Sequence, residues 1–283
     1  MNKISKSSTI KESVILGDNI EIGENVYIDD FAIIKDSVSI GNNSYIGSNC
    51  IIGEYTVDCI KKRSNHKYVL SIGENALIRS STIIYTDSQI GHDFQTGHHV
   101  TIRENCLIGD YVSFGTLADI QGNCMIKHYV RAHSNVHIGQ KSIISSFVWL
   151  FPYVVLTNDP TPPSTDLCGV ILEPFSVVST GSILLPGVHI ASDSLVAAGA
   201  NVVKDVHKGE VVGGNPAKVI ASTESVRNHI TREKVYPWRY TFDRGMPWEN
   251  VGFDNWYRSL SEKEIDYYFS EYQYINENSN VKK

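Results

Sequence analysis

Residues 10–52 read IKESVILGDNIEIGENVYIDDFAIIKDSVSIGNNSYIGSNCII. A branched aliphatic returns at every sixth place: Ile10, Leu16, Ile22, Ile28, Ile34, Ile40, Ile46 and Ile52. That is no helix period, because about 3.6 residues per turn would carry these side chains around the whole cylinder. It is the period of a short strand plus a turn, repeated three times per coil to close a triangular prism. The fold expected is therefore all-β, a parallel β-helix of about ten coils.

The frame restarts at Ile72 and runs through Ile78, Ile84, Ile90, Thr96, Ile102, Ile108, Phe114, Ile120, Ile126, Ala132, Ile138, Ile144, Leu150 and Leu156, then through Leu172, Val178, Leu184, Ile190, Val196 and Val202. Two places before each aliphatic the side chain points inward again, and there the chain uses small or β-branched residues such as Val26, Ala32, Cys50, Thr82, Val100 and Cys106. The corner after the aliphatic is often glycine (Gly17, Gly23, Gly41, Gly91, Gly115), expected there to supply a positive φ.

The chain has 283 residues, enough to bury one long core, and a net charge of −6. With no basic patch against that balance, a nucleic-acid partner is not expected. The polar stretch Met1 to Glu12 has no apolar run, so neither a signal peptide nor a membrane span is expected, and the compartment expected is cytoplasmic. Of the five cysteines, Cys106 and Cys124 should stack on adjacent coils, about 4.8 Å apart, as buried free thiols.

Residues 1–206 are expected to form the β-helix, with insertions near 54–70 and 157–170, and 207–283 a separate extension. The first insertion is basic in its middle, at Lys61, Lys62 and Arg63, and runs on through His66, Lys67 and Tyr68. The second, TNDPTPPSTDLCGV, holds prolines that forbid ladder pairing and should protrude as a loop. In the extension, Thr223 to Lys234 and Leu260 to Tyr274 read as helices around an aromatic stretch carrying Trp238, Trp248 and Trp256. That stretch should either cap the prism or lie over a ligand.

The hexads, the loop around TNDPTPP, Leu185-Pro-Gly-Val188, Ala197-Ala-Gly-Ala200 and the run Gly213 to Ile220 resemble the left-handed β-helix hexapeptide acyltransferases. Residues 81–110, STIIYTDSQIGHDFQTGHHVTIRENCLIGD, are similar to bacterial sugar and sugar-nucleotide N-acetyltransferases, where DNFQTGH-x-V-x-IRE is common. The left-handed coil is implied by the resemblance alone, since the period does not set the hand. It further implies a homotrimer with active sites between subunits and acetyl-CoA as co-substrate. The acceptor implied is a nucleotide-linked amino sugar of surface-polysaccharide assembly; O-acetylation of a sugar is the alternative.

The base that the resemblance implies is His98, which matches the TGH-x-V histidine, with Glu104 as its partner. The replacement of an aliphatic by Thr96 and of a small residue by Phe94 also suggests a locally remodelled wall there. Coil arithmetic files Tyr85, Arg103 and Gln121 together, then Gln95, Ser113, Arg131 and Trp149, then Glu104, Gly122, Gln140 and Asn158. From these files Tyr85 and Trp149 are candidates to stack on a base, and Arg103 and Arg131 to pair with a diphosphate; Asn158 and Asp159 complete the candidate acceptor site. For CoA, the resemblance implies Ala198 and Gly199 along pantetheine and Asn215, Pro216, Ala217 and Lys218 at the adenosine end, with Lys204 a less specific candidate.

A rival reading comes from His92, His128 and His133, whose corner positions resemble the zinc ligands of γ-class carbonic anhydrases. That family's asparagine–glutamine pair has no counterpart here, where Ile84 and Thr86 stand, and a polar ladder of His92, Asp110 and His128 explains the spacing without metal. No metal is expected.

Overall fold

The structure is a computed structural model that describes residues 1–62 and 68–270. Strands of mostly two residues follow one another around three faces. Face 1 holds ten strands from Lys3–Ile4 to His189–Ile190. Face 2 holds twelve from Thr9–Ile10 to Ala217–Ser222, and face 3 ten from Ile15–Leu16 to Asn201–Val202. Except for the closing antiparallel pair of face 2, Glu210–Gly214 with Ala217–Ser222, strands pair in parallel with the one a coil later, aliphatic on aliphatic: Ile28 faces Ile46, Ile84 faces Ile102 and Ile102 faces Ile120. The hexad aliphatics and the small residues two places earlier form one continuous core, as the sequence required.

The reason for the corner glycines is corrected. Positive φ falls two places after most of them, on Asn19, Asn25, Asn43 and His99, where asparagine tolerates the left-handed region best. The glycines serve close packing between coils. A Cβ on Gly97 would sit 2.3 Å from the Thr116 amide nitrogen, and one on Gly41 2.5 Å from that of Glu74. Stacked turns leave no room for a side chain there.

Phe94 and Thr96 also receive a plain explanation. Both are buried, and Phe94 packs edge-on against Phe114 at 5.6 Å while Thr96 and Ala132 supply the compensating small volumes. The break in the repeat is an exchange of core volume and does not by itself mark a site.

The first insertion carries a short helix, α1 (Val57–Lys62), before the ladder resumes at Leu70. Arg63, His66 and Lys67 lie outside the described residues. The second leaves the ladder after Leu156 and rejoins it at Ile171. Cys106 and Cys124 are buried and free; their thiols donate to carbonyls of Gln121 and Gly139.

The helix expected over Thr223 to Lys234 does not form. One 3-10 turn at Thr223–Ser225 is capped by Ser222, and the chain then doubles back through an antiparallel bridge between Arg227 and Lys234. Asn228 stops a helix here by accepting the amides of Ile230 and Thr231 with its own side chain. Helices α2 (Phe253–Ser259) and α3 (Glu262–Phe269) do form, α3 with a capping box of Ser261 and Glu264. The part of the expected helix beyond residue 270 lies outside the described residues.

The extension packs as an aromatic layer on the edge between faces 1 and 2. Trp238, Trp248, Trp256 and Met246 bury themselves against Tyr129, Phe147, Phe175 and Val177. Phe147 and Phe175 stack nearly parallel at 5.1 Å, and the Trp238 indole donates to the Phe175 carbonyl. Burial of this many rings makes the layer part of the folded body; it reaches the face-2 to face-3 edge at Phe151, and among the described residues no outward position of face 3 takes part in it.

Candidate functional site

The candidate residues separate onto the two edges that flank face 3. Where face 2 turns into face 3, the file two places past each aliphatic is His98, Thr116, Ser134, Pro152, Thr180 and Ala198. Where face 3 turns into face 1, the matching file is Glu104, Gly122, Gln140, Asn158, Pro186 and Lys204. Ala198 and Gly199 thus share the first edge with His98, while Tyr85, Arg103, Asn158 and Asp159 share the second with Glu104.

His98 is exposed, with its Nδ1 2.7 Å from the Ser80 hydroxyl and its own amide donating to Thr116 Oγ1 at 3.2 Å. Its imidazole is thereby oriented by the coil before and its backbone by the coil after. Glu104 does not reach it within the chain. The Arg103 guanidinium grips both Glu104 oxygens, at 2.8 and 2.9 Å, and lies over the Tyr85 ring at 5.1 Å. Tyr85 and Arg103 are therefore joined as the file predicts, and one face of the Tyr85 ring is taken by the guanidinium.

A pair that sequence reading missed stands beside them on face 3. His137 Nδ1 is 3.0 Å from Asp119 Oδ2, which also accepts from Gln121 at 2.8 Å. The hydrogen bond to His137 is the main cause that holds the Asp119 carboxyl below its ordinary range. The signal was the eighteen-residue step from 119 to 137, the same step that filed the other candidates.

Above and below this pair most outward positions of face 3 are aliphatic, Ile15, Ile33, Ile51 and Ile83 toward one end and Val155 and Ile183 toward the other, while Thr101 and Asn201 are polar. Ile15 is 61% exposed and Ile183 42%.

Arg131 and Trp149 belong elsewhere. Arg131 lies over the Trp149 ring at 5.3 Å on face 2 and donates to the Gly245 carbonyl of the extension at 3.0 Å. Asp159 organises the proline loop, accepting from the Thr161 and Ser164 amides and from the Ser164 hydroxyl. Those bonds, the Ser164 amide foremost, lower its pKa.

At the far end, strands Glu210–Gly214 and Ala217–Ser222 form a hairpin with Asn215-Pro216 at its tip. Asn215 Oδ1 accepts from Asn201 at 3.1 Å. Between the hairpin and residues 202–206 lies a cleft of about 340 Å³ lined by Lys204, Pro216, Ala217 and Lys218. Gly199 takes a φ of +70 with open space where a Cβ would point, so a ligand can approach its backbone.

Two of the three histidines of the rival reading, His92 and His128, serve the turn ladder. Glu74 donates its amide to His92 Nδ1, His92 to Asp110 and Asp110 to His128 Nδ1, each a coil apart. His128 is buried under Tyr267, their ring centres 3.7 Å apart, and burial presses its pKa down to about 4. His133 stacks on Phe151. Among the described residues no three His, Cys, Asp or Glu side chains gather as a metal site.

Fold and repeat define a protein class, the parallel β-helices built of hexapeptide repeats. In agreement, the family model of the bacterial transferase hexapeptide (six repeats) matches residues 19–57, and that of the hexapeptide repeat of succinyl-transferase matches residues 6–30. A curated relative, the 2,3,4,5-tetrahydropyridine-2,6-dicarboxylate N-acetyltransferase of Staphylococcus aureus, is 33% identical over 94 residues, which is 33% of this chain and 34% of the relative. The chain thus matches about a third of that relative's length.

Two solved structures show similarity to the chain at low identity. The UDP-N-acetylglucosamine acyltransferase LpxA of Bacteroides fragilis is 17% identical, with 94% of each chain covered and a TM-score of 0.34. The GDP-perosamine N-acetyltransferase of Caulobacter crescentus, solved with CoA and GDP-perosamine, is 18% identical, covering 78% of this chain and 57% of its own, with a TM-score of 0.22. At such identity and fit these likenesses carry no information about substrate. No helix among the described residues is long and apolar enough to cross a membrane.

Proposed function

We propose that the chain is an acetyl-CoA-dependent N-acetyltransferase acting on a nucleotide-linked amino sugar, as in surface-polysaccharide assembly. It works as a homotrimer with its active sites between copies. The observation that carries this reading is the division of the candidate residues between two edges with a largely aliphatic face between them. The extension already covers the edge of faces 1 and 2, so face 3 is the apolar side left for a second copy. Placing three such faces around a three-fold axis brings the His98 edge of one copy to the Glu104 edge of the next.

Along the Glu104 edge, Lys204 lies five coils away, about 24 Å at about 4.8 Å per coil. An extended CoA matches that run, with its adenosine end in the cleft at Pro216, Ala217 and Lys218 and its thioester toward Asn158 and Glu104. Ala198 and Gly199 of the adjoining edge offer main-chain groups to pantetheine. In the reaction the sugar amine attacks the thioester carbonyl, the C–N bond forms, the C–S bond breaks and the CoA thiolate leaves. His98 takes the proton from the attacking amine, and Ser80 holds the imidazole for it. The S. aureus relative, an N-acetyltransferase by name, supports an amine acceptor over a hydroxyl.

The test is release of CoA thiol by metal-stripped full-length protein given acetyl-CoA and dTDP-, UDP- or GDP-linked amino sugars. Thiol release that needs one amino sugar and yields a hydroxylamine-stable amide is expected. A hydroxylamine-labile product would move the assignment to O-acetylation. Neither turnover nor thermal stabilisation by CoA, with zinc-dependent CO2 hydration in their place, would overturn the transferase in favour of the carbonic-anhydrase reading.

A further inference from the structure

Between the extension and face 2 lies an open cleft of about 430 Å³, within the usual range for small-molecule sites of about 300–1,000 Å³. One wall is the solenoid, with Trp149, Phe151 and Val177; the other is the extension, with Tyr236, Trp238 and Phe242. Trp149 meets Phe242 edge-on at 5.5 Å and Trp238 edge-on at 6.0 Å, so flat ring faces are held at fixed angles around the space. Asn228, Glu233 and Lys234 also line it.

Polar groups here are only partly served. Trp238 and Trp248 donate their indole N–H groups to carbonyls, at 3.0 and 3.1 Å. The indole N–H of Trp149 is shut off from solvent with no acceptor among the described residues, and the Nε of Arg131, whose guanidinium covers that ring, is in the same state. A buried donor without a partner costs about 1–3 kcal/mol. Neither atom faces the open cleft, so a ligand acceptor would remove that penalty only as the side chains around Trp149 shift on binding. Burial also pushes the Tyr236 phenol up to about 12, which keeps it protonated and able to donate.

Aromatic planes, buried donors and a lysine at hand are the complement of a flat heteroaromatic ring with carbonyl acceptors and an attached phosphate. We propose that this cleft binds the base of a nucleoside phosphate. Position along the solenoid gives the reach. Phe151 lies at the same edge as His98 and three coils further on, about 14 Å at about 4.8 Å per coil. A base in the cleft therefore leaves its diphosphate to run past His133 and Ser134 and its sugar to end beside His98.

This assignment of the base to the acceptor rests on the transferase reading; nucleoside binding itself does not. Adenosine of CoA is the other source of the same chemistry, and the test separates the two.

Full-length protein is titrated calorimetrically with dTDP, UDP, GDP and adenosine 3′,5′-bisphosphate, following tryptophan fluorescence in parallel. Saturable binding of one sugar-carrier diphosphate with quenching is expected. Trp149→Phe, which keeps a ring and removes the N–H, should weaken it by about five- to tenfold, as loss of one buried hydrogen bond predicts. Phe151→Ala should weaken it further. Preference for the adenosine bisphosphate with the same losses keeps the cleft as a nucleoside site and gives it to CoA. No saturable binding of any of the four, or equal affinity in wild type and both variants with an unchanged near-ultraviolet spectrum, overturns the proposal. CoA-dependent thiol release that persists alongside such a failure leaves the transferase reading standing and removes only this inference.

Discussion

If the active site lies between copies, two inactive variants should repair one another. His98 and Glu104 are six residues apart on neighbouring corners, with the face-3 strand Thr101–Ile102 between them. At about 3.3 Å per extended residue the two Cα atoms stand on the order of 15–20 Å apart, beyond the reach of an imidazole and a carboxylate to one substrate atom. His98→Asn and Glu104→Ala are each expected to lower acetyl transfer by about a hundredfold or more, since a positioned base alone contributes about 10²–10⁴. Unfolded together at equal amounts and refolded, the chains assort at random. An interface then joins an intact His98 edge to an intact Glu104 edge with a probability of about one quarter, so about a quarter of wild-type activity should return. The assay is thiol release on the refolded mixture, with each variant refolded alone as reference. A mixture no more active than its parents refutes the site between copies, because residues serving one site within one chain cannot complement.

Further consequences are open to measurement. Ile183→Asp, at a position 42% exposed in the single chain, should leave secondary structure unchanged but dissociate the assembly in light scattering; a trimer that persists would place the contact off face 3. His128 has a folded pKa of about 4 against an ordinary 6.5, so the unfolded chain takes up a proton that the folded chain refuses. Its contribution, about 2–4 kcal/mol, is complete above pH about 6.5 and lost as pH falls toward 4. His128→Asn, the residue that Asn42 already supplies at the matching turn, should flatten the melting temperature between pH 6.5 and 4.5, and an unchanged slope would remove His128 as the cause. Gly97→Ala forces a Cβ to 2.3 Å from the Thr116 nitrogen and is expected to cost about 1–3 kcal/mol in denaturant unfolding; no loss would mean the coils separate freely there. Trp248→Ala, fully buried with its indole bonded to Phe242, should cost about 3–5 kcal/mol and expose the extension to protease, whereas wild-type resistance would show the layer held by other contacts.

What was legible in the chain depended on whether a residue obeys the coil. Phase alone identifies the core, because inward positions must be apolar at every turn and one slip would put them in water. The same step placed Arg103 beneath Tyr85 and Arg131 beside Trp149, and the structure keeps both pairs. Asp119 and His137 were equally within reach of that arithmetic, but outward positions carry no apolar signal to draw attention to them. The stretch from Thr223 to Lys234 was misread as helix because its composition permits one; Asn228 chose the turn through bonds from its side chain to its own backbone.

By itself the sequence determined the prism, its three faces, the two insertions and which residues share an edge, since each follows from a period that the backbone repeats without reference to anything distant. Only the tertiary structure decided what the extension does. Its rings obey no period, and their packing on Phe147 and Phe175, with the cleft they leave beside Trp149, arises from contacts between segments roughly a hundred residues apart. The separation of His98 from Glu104 by a whole face belongs with what the period determines, because residues one hexad apart stand at successive corners.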